Sequence, residues 1–103
     1  MTIKNLFDKV APPATGERFE TLLQCRNLVI ERICSNSDII PTHYVQTQDE
    51  WVLLVQGTAD IEIDGKTESL QSGDYVFLPA NMPHSVNKVS DGALWLAVHL
   101  HPQ

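Results

Sequence analysis

The chain is poor in basic residues. Seven lysines and arginines stand against thirteen aspartates and glutamates, a formal net charge of −6. Phosphate backbones and anionic lipid surfaces are gripped by clusters of positive charge, so this balance argues against nucleic acid and against a membrane surface as partners. Long apolar runs are absent too. The longest, residues 93–98 and 51–55, suit buried strands and fall far short of a bilayer span. The N-terminal stretch MTIKNLFDKVAPPATGE has no long apolar segment and no small-residue cleavage site. It does not read as a secretory leader, and a cytoplasmic location is expected. Two cysteines, Cys25 and Cys34, are too few for a disulfide framework and match no common zinc spacing; they read as reduced thiols. Nothing resembles a phosphate loop, a dinucleotide fingerprint or a serine nucleophile elbow, which weighs against nucleotide-dependent catalysis and acyl transfer.

What the chain does have is β-pattern. Its 103 residues suffice for one domain, and 43% hydrophobic with 19% charged residues is ordinary for a soluble globular chain. Residues 1–27 read as a lead-in: Pro12 and Pro13 stop any helix, 11–16 is loop, and Phe19, Leu22 and Leu23 begin either a strand or a short helical turn. The barrel is expected over 28–103. Its strands are read at 28–33, 42–45, 50–56, onward past Gly57 to 63, then 67–70, 75–78, 85–89 and 93–100. Turns fall at Ser35 to Asp38, Asp64-Gly65, Ser72 to Asp74, 79–83 and Asp91-Gly92. Asp-Gly suits a two-residue hairpin because both of its positions require φ > 0. Many short strands with closely spaced turns and no helix mean a sandwich or a barrel.

Two stretches carry motif spacing. Glu50 is followed by six residues and then Gly57. Gly73 is followed by five residues and Pro79, then His84 at the distance of a G-x5-P-x-G-x2-H-x3-N pattern. Asn81 stands in the place of the second glycine, where asparagine tolerates the left-handed conformation. Lys88 stands in the place of the closing asparagine. These stretches resemble the paired motifs of the cupin family. The runs DEWVLLVQGTADIEIDG, LQSGDYVFLPANMPH and WLAVHL are similar to small bacterial single-domain cupins, many of them without assigned activity. The resemblance implies an all-β, cupin-type double-stranded β-helix (a jelly-roll barrel), a homodimer formed by sheet packing, and a divalent transition metal: Fe, Mn, Ni or Zn. The family's first motif also carries a histidine pair. Here that pair falls on His43 and Val45, or on Tyr44 and Gln46, and neither placement restores both histidines.

The candidate metal ligands are therefore His43, Glu50, His84 and His99. Glu50 is either a solvated strand end or a carboxylate turned into the barrel. His84 has the support of motif spacing; His43 lacks its motif partner. His99 enters through geometry. A two-residue type I′ turn at Asp91-Gly92 would pair Ser90 with Ala93 and set His84 directly opposite His99 on one face. A bulged three-residue loop would bring Val98 there instead. His101 reads as a solvated tail. If Glu50 points inward, alternation sends Val52, Leu54 and Gln56 with it and turns Trp51, Leu53 and Val55 outward. The apolar outward face then needs a cover, either the N-terminal segment or a second subunit. Tyr44, Gln46 and Gln48 are placed beside the site, and Trp95 at the pocket mouth or in the core. Three functions follow: a metal-dependent enzyme on a small organic molecule, dioxygenase- or isomerase-like; a non-catalytic small-molecule or sensor module, with or without metal; or a metal-free barrel filled by its own side chains.

Overall fold

The computed structural model describes residues 2–103. Nine strands follow one another: β1 (Glu17–Cys25), β2 (Leu28–Ser35), β3 (His43–Tyr44), β4 (Asp49–Gln56), β5 (Thr58–Ile63), β6 (Lys66–Gln71), β7 (Tyr75–Leu78), β8 (His84–Val89) and β9 (Ala93–Leu100). They form two antiparallel sheets, one in the order β1-β2-β9-β4-β7 and one in the order β3-β8-β5-β6. No helix occurs among the described residues. The core fills the space between the sheets with Val52, Leu54, Ile61, Leu78, Trp95 and their neighbours. Strand β4 shows why: Glu50, Val52 and Leu54 are buried, while Trp51, Leu53 and Val55 between them are only half-buried, the alternation of a strand with one inward face.

Three turns decide how the chain moves between sheets. At Asp64-Gly65 both residues have positive φ, 50° and 81°, and Ile63 pairs with Lys66; this is the expected hairpin within one sheet. Gly57 (φ 104°) is the corner at which β4 of the larger sheet gives way to β5 of the smaller one. The third turn corrects the expectation. Ala93 N donates to Ser90 O at 3.2 Å, but Gly92 (φ 79°) has positive φ and Asp91 does not, so the turn is not type I′. Strands β8 and β9 do not pair; they belong to opposite sheets. His84 lies across from Tyr44 and Ile63, and His99 across from Val29 and Glu50. Asn81 does adopt the left-handed conformation, φ 67°.

Of the two readings left open for Phe19, Leu22 and Leu23, the strand is the one found. Residues 17–25 form β1, paired with β2 at the edge of the larger sheet. The preceding segment is tied down by Arg32, which is buried. Its guanidinium forms a fork with both oxygens of Glu20 and donates to the carbonyls of Leu6 (2.8 Å) and Asp8 (2.6 Å). That segment covers one end of the larger sheet's outer face. At the other end Trp51 packs against Tyr75 at 5.3 Å, and Tyr75 and Phe77 are 64% and 59% exposed.

Candidate functional site

A cavity of about 150 Å³ lies between the sheets. The larger sheet supplies Glu31 and Ile33 from β2, Glu50 and Val52 from β4, and Trp95 and His99 from β9. The smaller sheet faces them with Tyr44, Ile61, His84 and Val86. Glu17 and Phe19 of β1, Gln46 and Leu78 complete the lining. Pairing explains the convergence. Glu50 and His99 are direct cross-strand partners, which places their side chains on the same face. Tyr44 and His84 are partners in the opposite sheet, with rings stacked at 5.5 Å.

Glu50 is buried between the two imidazoles. Its Oε1 is 3.9 Å from His84 Nε2 and its Oε2 is 3.9 Å from His99 Nε2. Gln46 Nε2 donates to Oε1 at 3.0 Å. His84 Nδ1 is 3.1 Å from Met82 O; a carbonyl only accepts, so Nδ1 donates there and Nε2 is the nitrogen that faces Glu50. His99 Nε2 is 2.9 Å from Glu31 Oε1, so there it is Nε2 that donates. Gln48 Nε2 lies 3.4 Å from His99 Nδ1. The hydrogen bond to Glu31 raises the His99 pKa above the ordinary 6.5; burial opposes this, and the charges of Glu50 and Glu31 add to it. Partial burial, with the charge of Glu17 second, raises the Tyr44 hydroxyl above its usual value, so it stays a neutral phenol at physiological pH.

A raised histidine pKa has a signed consequence. Protonated His99 contributes stability that is fully present below its unfolded-state value and is lost as pH climbs through the folded-state value. Urea unfolding across this range is expected to show the advantage of wild type over His99→Gln shrinking as pH rises from below 6.5. A difference that stays flat with pH would contradict the pairing.

The structure redistributes the expected site residues. Glu50, His84 and His99 meet, although His84 and His99 do so from opposite sheets and not across a hairpin. His43 is exposed and does not line the cavity: in β3 it is the alternate residue, Tyr44, that faces His84. Gln46, Val52 and Trp95 line the cavity with Tyr44. Gln48 does not line it but touches His99. Leu54 is fully buried core beneath it. Gln56 lies beyond the register shift that separates it from Leu54, is exposed, and points to Gly92 O. His101 is not a loose tail: its N–H donates to Asn27 O at 2.8 Å, and its ring stacks 6.2 Å from that of His99. The acidic residues Glu17 and Glu31 were not anticipated. Glu31 had one available signal, its inward parity with Ile33 in β2.

These donors do not fit a metal ion as they stand. Neighbouring ligands about 2.1 Å from one tetrahedral or octahedral ion lie about 3.0–3.4 Å apart and opposite ligands of an octahedron about 4.2 Å, whereas both Glu50–histidine separations are 3.9 Å and match neither. The Nε2 of His99 is committed to Glu31, and Gln46 points a hydrogen at the Glu50 oxygen nearest His84. Among the described residues no group of three or more His, Cys, Asp or Glu is arranged to hold a metal.

Residues 31–101 match the family model for the cupin domain. The chain belongs to the cupin family. This cupin is 36% identical to a Ralstonia eutropha protein of known structure, described provisionally as a mannose-6-phosphate isomerase, with a TM-score of 0.85 over 99% of this chain and all of that one. A conserved Streptococcus pyogenes protein of unknown function superposes with a TM-score of 0.83 at 23% identity, over 99% of this chain and 89% of that one. Quercetin 2,3-dioxygenase of Bacillus subtilis is 32% identical over 72 residues, 70% of this chain but 19% of its own length. The polyketide synthase CurC of Streptomyces cyaneus is 30% identical over 63 residues, 61% of this chain and 41% of that protein. The cupin thus spans less than half the length of either curated relative.

Proposed function

We propose that this cupin binds a small organic molecule in the cavity between its sheets, and that His99 and His84 move a proton on it. The observation that supports this most is the position of one buried carboxylate, Glu50, 3.9 Å from each of two imidazoles that reach it from opposite sheets. In this reading His99 turns the Nε2 hydrogen it shares with Glu31 to the ligand and is the proton donor, and His84 Nε2, on the opposite wall of the cavity, is the acceptor. A donor and an acceptor on opposite walls suit isomerisation: one atom of the ligand gains a proton while a neighbouring atom loses one. The apolar walls, among them Ile33, Val52 and Ile61, exclude water and strengthen both interactions. Of the two reactions anticipated, this favours the isomerase-like one. The provisional description of the Ralstonia relative as an isomerase of mannose 6-phosphate agrees in reaction type. It does not agree in substrate, because among the described residues no lysine or arginine lines this cavity to hold a phosphate.

A thermal-shift screen of small carbonyl and hydroxyl compounds tests the reading, since a ligand at a hundred times its Kd stabilises by about 2.7 kcal/mol. Compounds that raise Tm are expected to lose that effect in His84→Ala, and to exchange a carbon-bound hydrogen with D2O in the wild type but not in His99→Gln. Binding without exchange would leave a non-catalytic binding module. A Tm response untouched by His84→Ala would end the proposal. Metal analysis of untagged protein is the companion measurement. Sub-stoichiometric metal is expected; a stoichiometric ion lost in His84→Ala and Glu50→Ala but kept in His101→Ala would restore the metal-dependent reading. The same proposal places a second copy of the chain on the exposed Tyr75 and Phe77 end of the larger sheet, where sedimentation is expected to show a dimer that Phe77→Glu dissociates.

A further inference from the structure

Resting on the pocket reading above, we infer that the ligand is a small organic cation, an amine or quaternary ammonium compound in chemical class. The charged groups of the cavity are three carboxylates, Glu17, Glu31 and Glu50, and two imidazoles, His84 and His99. Among the described residues no lysine or arginine lines it. Even with one imidazole protonated, the acidic groups outnumber the cationic ones. Each carboxylate is held through one oxygen. Glu17 Oε2 accepts from Ser35 Oγ at 2.7 Å, Glu31 Oε1 from His99, and Glu50 Oε1 from Gln46. The second oxygen of each has no hydrogen bond among the described residues.

The rest of the lining agrees. Phe19, Tyr44 and Trp95 bring aromatic rings to the same cavity, and ring faces attract a desolvated ammonium. Trp95 is 2% exposed, and its indole Nε1–H has no acceptor among the described residues. A phosphate ester or a carboxylic acid would meet repulsion from three carboxylates and find no guanidinium or ammonium to offset it. A purely apolar ligand would leave the free carboxylate oxygens without partners.

The test separates charge from shape. Choline, its uncharged carbon isostere 3,3-dimethylbutan-1-ol and the related anion 3,3-dimethylbutanoate are titrated into the full chain by calorimetry at low and moderate salt. Choline is expected to bind at least about tenfold more tightly than the alcohol, with the anion weakest. Glu17→Gln and Glu31→Gln are each expected to weaken choline several-fold and leave the alcohol unchanged. Glu17 stands apart from the imidazoles, so the Gln variant at that position keeps the test open if the change at Glu31 disturbs folding. Alcohol or anion binding as tight as choline, choline binding indifferent to Glu17→Gln, or no choline binding at millimolar concentration would each overturn the inference. In any of those cases the pocket reading is judged separately, by whether another compound in the wider screen depends on His84.

Discussion

Gly57→Ala is expected to lower the melting temperature by about 12–20 °C, as about 3 kcal/mol would in a domain of this size. Two effects add. At φ 104° a side chain meets backbone strain of about 1–3 kcal/mol. The new Cβ would also lie 2.7 Å from Ser90 Oγ and 3.1 Å from both Cα and Cβ of Ala93, and overpacking of this kind costs about 1–3 kcal/mol. Ser90 has little freedom to yield, because its hydroxyl accepts from Thr58 N at 2.9 Å beside the same corner. Gly65→Ala provides the control. Its φ of 81° is also left-handed, but nothing lies within 4 Å of the place its new methyl group would take, so strain alone should appear. Equal losses in the two variants, measured by circular dichroism melting, would remove close packing at Gly57 from the explanation.

Arg32→Met is expected to destabilise by about 3 kcal/mol, near the lower end for breaking a buried ion pair. The Glu20 side chain is 34% exposed, so water screens part of the loss. The larger signature is local. Without the guanidinium, the Leu6 and Asp8 carbonyls lose their donor, and the N-terminal segment loses its main tie to the sheet. Amide exchange over residues 5–9 should accelerate well beyond the globally unfolding strands. Protection unchanged in that segment would show that something other than Arg32 holds it.

Much of the architecture was legible from residue order because it depends on near neighbours. β7 and β9 begin and end where alternation placed them. Asp64-Gly65 forms the hairpin that its two left-handed positions demanded, and Asn81 adopts the φ that its motif position required. Alternation from Glu50 also held through Val52 and Leu54. It failed at Gln56, where a shift in register broke the period. The lead-in stayed open between strand and helical turn for a related reason: ERFETLLQC mixes charged and apolar residues without clean alternation, and its bulge near Thr21 blurs the period further.

The site divides along the same line. Residue order alone determined that this chain makes short strands with one inward face, because side-chain direction in a strand follows from local parity; it left Glu50 open between a solvated strand end and an inward carboxylate, and the fold buried it. Only the tertiary structure decided that β8 and β9 enter opposite sheets, that Tyr44 and not His43 meets His84, and that Glu31 takes the Nε2 hydrogen of His99. Those outcomes rest on which strands pair across long stretches of chain. Such pairing is settled by the packing of two whole sheets against each other, and no short window of sequence contains it.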